Sequence, residues 1–164
     1  MFYYIYALLT APGVIIHEIA HAIFCVFTRS RIFKICLFRF GNPAGYVNHA
    51  EPNKFWKSFV ISFGPLIINS LLVLYLFSQA REPYFRWQTV VFLWLGIAIG
   101  LHAIPSTGDG KALFQAANHR FWRNPFVIIA YPFILVLYIL NLLKRLHIDI
   151  LYVGILFWLA KFYL

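Results

Sequence analysis

The chain alternates between long apolar stretches and short polar gaps, and five such stretches stand out. They run from about Phe2 to Thr28, Phe59 to Ser78, Trp87 to Ile104, Phe126 to Leu143, and Ile148 to Leu164. A helix crossing the hydrocarbon core needs roughly 20 apolar residues, with about 17 tolerated. The first four stretches meet that length. The fifth, interrupted by Lys161, either crosses or lies partly in the interface. Pro132 is expected to kink the fourth helix, because its ring removes a backbone donor and crowds the preceding turn. No basic residue precedes the first stretch, whose first cation is Arg29, so it is expected to stay as an anchor rather than be cleaved as a signal peptide.

The gap from Arg29 to Lys57 is the longest and does not read as a plain loop. Ile32 to Phe40 is rich in β-branched and aromatic residues, Gly41-Asn42-Pro43-Ala44-Gly45 reads as a turn, and Tyr46 to His49 can return as a second strand. Such a hairpin is expected at the membrane surface, since open strand edges are not tolerated in exposed hydrocarbon. No internal repeat or low-complexity tract is visible, and the segments are too closely linked for a second soluble domain.

Composition indicates the solvent. Of the 164 residues, 62% are hydrophobic, 20% aromatic and only 12% charged, and the mean hydropathy is +0.77. Soluble domains are nearer half apolar and a quarter charged, and a chain of this size leaves too much area exposed to hide the surplus in a core. The expected architecture is an all-α polytopic membrane protein of about five transmembrane helices. It forms one membrane-embedded domain over residues 1–164, with a small membrane-associated β-hairpin after the first helix.

The formal net charge of +9 invites a nucleic-acid reading. The cations fall instead in the gaps between apolar runs, as they do in polytopic membrane proteins, and nucleic acid is not expected as a partner. If all five stretches cross, one side holds Arg29, Arg31, Lys34, Arg39, Lys54, Lys57, Lys111, Arg120, Arg123 and Lys161. The other holds Arg81, Arg86, Lys144 and Arg145. Ten against four predicts that the first side is cytoplasmic and Met1 outside. Cys25 and Cys36 are too few for a disulfide framework.

Chemistry enters at His17-Glu18-Ile19-Ala20-His21, inside the first stretch. Positions i and i+4 lie close around a helix and about one turn apart along it, so both imidazoles can hold one ion. Neutral imidazole suits zinc. Glu18, turned away from the pair, can reach water beside the ion and serve as general base, then as proton donor to the leaving nitrogen. A core role for two His and a Glu is disfavoured in lipid, where ionisable groups are costly unless functional.

Catalytic zinc sites typically use three protein ligands and leave a fourth position open. Asp109, in Pro105-Ser106-Thr107-Gly108-Asp109-Gly110, is the best third candidate, because it follows the third stretch on the side toward which the His pair also lies. By itself Asp109 could equally cap a helix continuing through Lys111 to Ala117. His102, one turn before Pro105, could bind metal or orient a ligand. Cys25 reads as core, Glu51, His49 and His119 as interfacial or solvated, and His147 with Asp149 as belonging to the opposite side.

Together, His17 to His21 in a first membrane helix, Gly64-Pro65-Leu66-Ile67-Ile68-Asn69 in the next and Asp109-Gly110 after a third resemble the site-2 protease family of intramembrane zinc metalloproteases. The likeness covers roughly residues 11 to 115 and leaves the C-terminal segments, 125 to 164, unassigned. It implies one zinc per chain held by His17, His21 and Asp109, with Glu18 as catalytic base and Asn69 near the active site. His102 stands where that family usually has asparagine, and Gly108 where it has leucine.

The reaction this implies is hydrolysis of a peptide bond in or beside a transmembrane segment of a membrane-protein substrate. Asn69 or His102 would help hold the oxyanion or substrate, or support the ligands from behind. Ser62, Gly64, Asn69, Ser70, Ser106 and Thr107 could line a polar pocket around the ion. The hairpin could pair with an unwound substrate by β-augmentation, or act as an amphipathic surface anchor. Two other classes stay open: a catalytically inactive metalloprotease-like scaffold or regulator, and a metal carrier. An oligomer or an accessory partner is also open.

Overall fold

The computed structural model describes residues 2–80, 87–120, 125–143 and 147–163. Within them the order is α1 (Phe2–Phe27), β1 (Ile32–Cys36), β2 (Tyr46–His49), α2 (Phe55–Gln79), α3 (Trp87–Leu101), α4 (Thr107–Arg120), α5 (Pro125–Leu143) and α6 (Ile148–Tyr163). The chain is mostly helical, with one small antiparallel sheet. Two helical segments, Tyr4–Phe27 and Phe55–Gln79, are long and apolar enough to cross a membrane, whereas Trp87–Leu101 and Pro125–Asn141 are apolar but shorter. The third helix stops at Leu101 rather than Ile104. Pro105 explains this, since it disfavours helical backbone at the residue before it. Pro132 lies inside α5 without ending it.

α1 and α3 run in the same direction. Trp94 Nε1 donates to Leu9 O at 2.9 Å, and one turn on, Gly13 lies against Ala98 so tightly that a Cβ there would come within 1.9 Å of the Ala98 carbonyl oxygen. A residue without a side chain lets two backbones approach to this degree. The next turn of each helix then brings His17 beside His102.

α2 is the common wall. Phe55 packs with Leu113, Ala117, Val127, Ile134 and Leu137 from α4 and α5. The C-terminal half, through Val73, Leu76 and Phe77, packs with Ile99, Val153, Leu156 and Ala160 from α3 and α6. α6 follows the direction of α2, because Tyr152 hydroxyl meets Ser70 Oγ at 2.6 Å and the Phe157 ring meets that of Phe77 at 5.2 Å. Gly100 makes room for it: a Cβ there would stand 2.7 Å from Val153 Cγ2.

That direction corrects the strictly alternating arrangement of five crossings. Lys161 lies at the end of the bundle where α2 finishes, not with Arg29 where α1 finishes. Arg81, Arg86, Arg123, Lys144 and Arg145, which also entered the charge count, lie outside the described residues.

The outward faces stay apolar: Leu8, Val26, Leu71, Ile129, Phe133 and Leu151 are all exposed. Exposed apolar surface on this scale is a binding face for something other than water.

The hairpin pairs Lys34 with Asn48, Ile35 with Val47 and Cys36 with Tyr46, with an irregularity between Ile32 and Lys34. Its turn is closed by Arg39, whose backbone N–H donates to Ala44 O at 2.7 Å and whose Nε donates to Pro43 O at 2.9 Å. It does not simply lie across the end of the helices. It folds back along α1, bringing Gly45 onto Glu18 and the Phe40 ring within 5.5 Å of Tyr4 in the first helical turns. The expected hairpin is present, and its turn reaches along α1 to a cavity rather than standing apart from the helices. β2 lines that cavity through Tyr46, Val47 and His49.

Candidate metal centre

His17 and His21 sit one turn apart on α1, both buried, with ring centroids 4.8 Å apart. Each imidazole is fixed through its Nδ1. His17 Nδ1 lies 2.5 Å from His102 O, and His21 Nδ1 lies 3.1 Å from Ile61 O. A carbonyl oxygen only accepts, so Nδ1–H is the donor in both rings and each Nε2 keeps its lone pair. Backbone carbonyls from α2 and from the turn after α3 thus set the tautomer and ring orientation that metal ligation needs.

Both Nε2 atoms face Asp109. Asp109 Oδ2 is 3.4 Å from His21 Nε2 and 3.9 Å from His17 Nε2. All three ligand atoms lie within 4.8 Å of one another, and this group could hold a metal ion. Ligand atoms around tetrahedral zinc stand about 3.3 Å apart at usual bond lengths. The donor set, two neutral imidazoles and one carboxylate, fits such an ion.

The position of Asp109 comes from the start of α4. Ser106 is the residue before the first helical one, and it exchanges hydrogen bonds with Asp109. The Asp109 N–H donates to Ser106 Oγ at 3.2 Å, and the Ser106 N–H donates to Asp109 Oδ2 at 3.0 Å. This is a capping box with aspartate in place of glutamate. Ser106 Oγ also donates to Asp109 Oδ2 at 2.5 Å. The helix-capping and ligand readings of Asp109 therefore do not compete. Ser106 caps, and Asp109 takes part in the box while facing the histidines.

Glu18 lies beside the His pair, buried, and opens on the same cavity of about 570 Å³. The cavity is walled by Val14, Ile104, residues 106–109 and the hairpin from Asn42 to Val47. A Cβ on Gly45 would stand 2.7 Å from Glu18 Cγ and 3.0 Å from its Oε1, so the turn roofs the carboxylate directly. A second cavity of about 380 Å³ adjoins Asp109 from another side, between Glu51, Ser58, Ser62, Gln115 and His119.

The structure brings together four of the six residues singled out in the sequence: His17, Glu18, His21 and Asp109. Asn69 and His102 take other places. Asn69 is fully buried behind His17, where its Nδ2 donates to His102 O at 3.2 Å; it does not line the cavity. His102 lines the cavity but meets His17 through its main-chain carbonyl, and its ring is not in the three-residue group. Of the polar residues expected around the pocket, Ser106 and Thr107 line it, Ser62 lines the adjoining one, and Gly64 and Ser70 line neither.

Sequence reasoning named Ser106 only as pocket lining and His102 only for its imidazole, and it missed Ile61. The Ser106-x-x-Asp109 spacing carried a signal, that of a capping box. The Ile61 and His102 carbonyls carried none, since any residue supplies a carbonyl. No family model matches this chain, and no curated protein and no solved structure is detectably similar to it.

Proposed function

We propose that this protein is an intramembrane zinc metalloprotease resembling the site-2 protease family, multi-pass, which hydrolyses a peptide bond in or next to a transmembrane segment of another protein. One observation carries the reading: two imidazoles locked in the ligating tautomer by backbone carbonyls converge with a carboxylate 88 residues further along the chain, next to a glutamate that opens on the same cavity. The exposed apolar faces of the helices support lipid as the surroundings.

His17, His21 and Asp109 would hold the ion. A zinc ion there supplies Lewis acidity for a carbonyl and for water. The remaining work falls to side chains. Glu18 takes a proton from the attacking water and returns it to the leaving nitrogen. Ser106 holds the Asp109 carboxylate, and Asn69 and the His102 carbonyl hold the His17 ring. The hairpin turn shields Glu18 from above, and the β2 edge offers main-chain groups to an extended substrate segment.

The test is cleavage of a model single-pass substrate by the purified protein and by Glu18→Gln, with metal content measured in both. The expected result is about one zinc per chain in each and a loss of at least a hundredfold in rate for the variant. Equal cleavage would remove Glu18 from the mechanism. Zinc retained without any cleavage by the parent protein would favour a non-catalytic scaffold. Metal that exchanges freely would favour a carrier.

A further inference from the structure

We propose that the end of the bundle where α1 finishes and α2 begins is a binding collar for anionic phospholipid headgroups, a reading that rests on the proposed membrane location. Arg29, Arg31, Lys34, Lys54 and Lys57 fall within this one stretch, against a single carboxylate, Glu51. The fold gathers the ends of that stretch into one place. The Ala50 N–H donates to Arg31 O at 2.8 Å, and Lys54 is the residue on which α2 starts. None of the five cations forms an ion pair among the described residues.

Three of them lie over aromatic rings instead. Arg31 is 5.6 Å from the Phe33 ring centroid, Lys57 5.9 Å from that of Trp56, and Lys34 5.8 Å from that of Tyr46. Such pairs hold a cation beside an apolar ring without neutralising it. Phe33 and Trp56 are exposed, 58% and 39%, and the last helical residues below Arg29, Val26 and Phe27, are exposed by 70% and 71%. Unpaired cation, aromatic ring and bare aliphatic surface follow one another in the order of phosphate, interface and acyl chain. An acidic protein segment would match the charge but would leave the adjoining apolar rim uncovered. The charge and the apolar rim together point to lipid, and to lipid of negative charge.

The collar also bears on the metal centre, because it is the root of the hairpin whose turn seats Gly45 on Glu18. Lipid bound at Arg31 and Lys34 steadies the strand that carries that roof.

Lipid selectivity measures this directly. The full chain is reconstituted into phosphatidylcholine vesicles carrying spin-labelled phosphatidylglycerol or spin-labelled phosphatidylcholine, and the motionally restricted fraction of each probe is read by electron paramagnetic resonance. The expected result is a preference of about fivefold for the anionic probe, falling toward one in about 0.5 M salt, where screening is short-ranged. The combined variant Arg29→Gln, Arg31→Gln, Lys54→Gln, Lys57→Gln is expected to show no preference while keeping its zinc. If that variant does not fold, the salt series on the parent protein decides alone. Equal restriction of both probes at low salt would overturn the collar and leave its charge to an acidic protein segment. Failure of the protein to enter vesicles at all would overturn the membrane reading with it.

Discussion

Gly45 stands directly over Glu18, close enough that its missing Cβ is the space the glutamate side chain occupies. The hairpin is thus part of the candidate catalytic machinery and not a bystander to it. A methyl group at position 45 must displace either the turn or the carboxylate. Gly45→Ala is expected to lower kcat/KM for a model substrate by about ten- to a hundredfold, reaching the lower end of general-base effects, while zinc content stays near one per chain. Loss of zinc in this variant would mean that the hairpin supports the ligands instead of the base.

The capping box gives Ser106 two duties that can be separated. Ser106→Ala removes the hydroxyl from Asp109 and leaves the start of α4 uncapped, at a cost of about 1 kcal/mol. Removing an outer partner of a metal ligand typically weakens affinity tenfold or more, so chelator competition should show zinc released at about one tenth of the chelator concentration needed for the parent. Ser106→Thr, which keeps the hydroxyl, should restore both. Unchanged competition in the alanine variant would assign Ser106 to the helix alone.

His102 meets His17 through its carbonyl. His102→Ala is therefore expected to retain one zinc per chain, as measured by atomic absorption on the purified variant. A drop to substoichiometric zinc would return the imidazole to the ligand set.

The ligands come from α1 and from the start of α4, so an ion between them ties distant parts of the chain. Stripping metal with a chelator should lower the thermal midpoint in detergent by several degrees, since ligand bound only to the folded form stabilises it. Zinc, added back in slight excess, should restore it. No shift would mean that the site is organised without the ion.

The group that could hold a metal ion was more legible in the sequence than its surroundings. His17, Glu18 and His21 declared themselves because helical spacing is fixed and because ionisable groups inside an apolar run need a reason. Asp109 followed from the need for a third ligand. The path of the hairpin along α1 was not legible, since it depends on Phe40 meeting Tyr4 and on Gly45 meeting Glu18, contacts between residues whose local patterns are ordinary. The direction of α6 was hidden for a similar reason: an apolar run reads the same in either direction, and its register is set by contacts such as Gly100 with Val153, Ser70 with Tyr152 and Phe77 with Phe157.

The bare backbone at Gly13 has a reach beyond its own contact. It sets how far α1 slides along α3, and the carbonyl that orients His17 arrives only in that register. Anyone grafting the His-Glu-x-x-His turn onto another bundle would have to carry along a hydrogen-only position one turn upstream, or the imidazole would swing free of the alignment that would let it hold an ion.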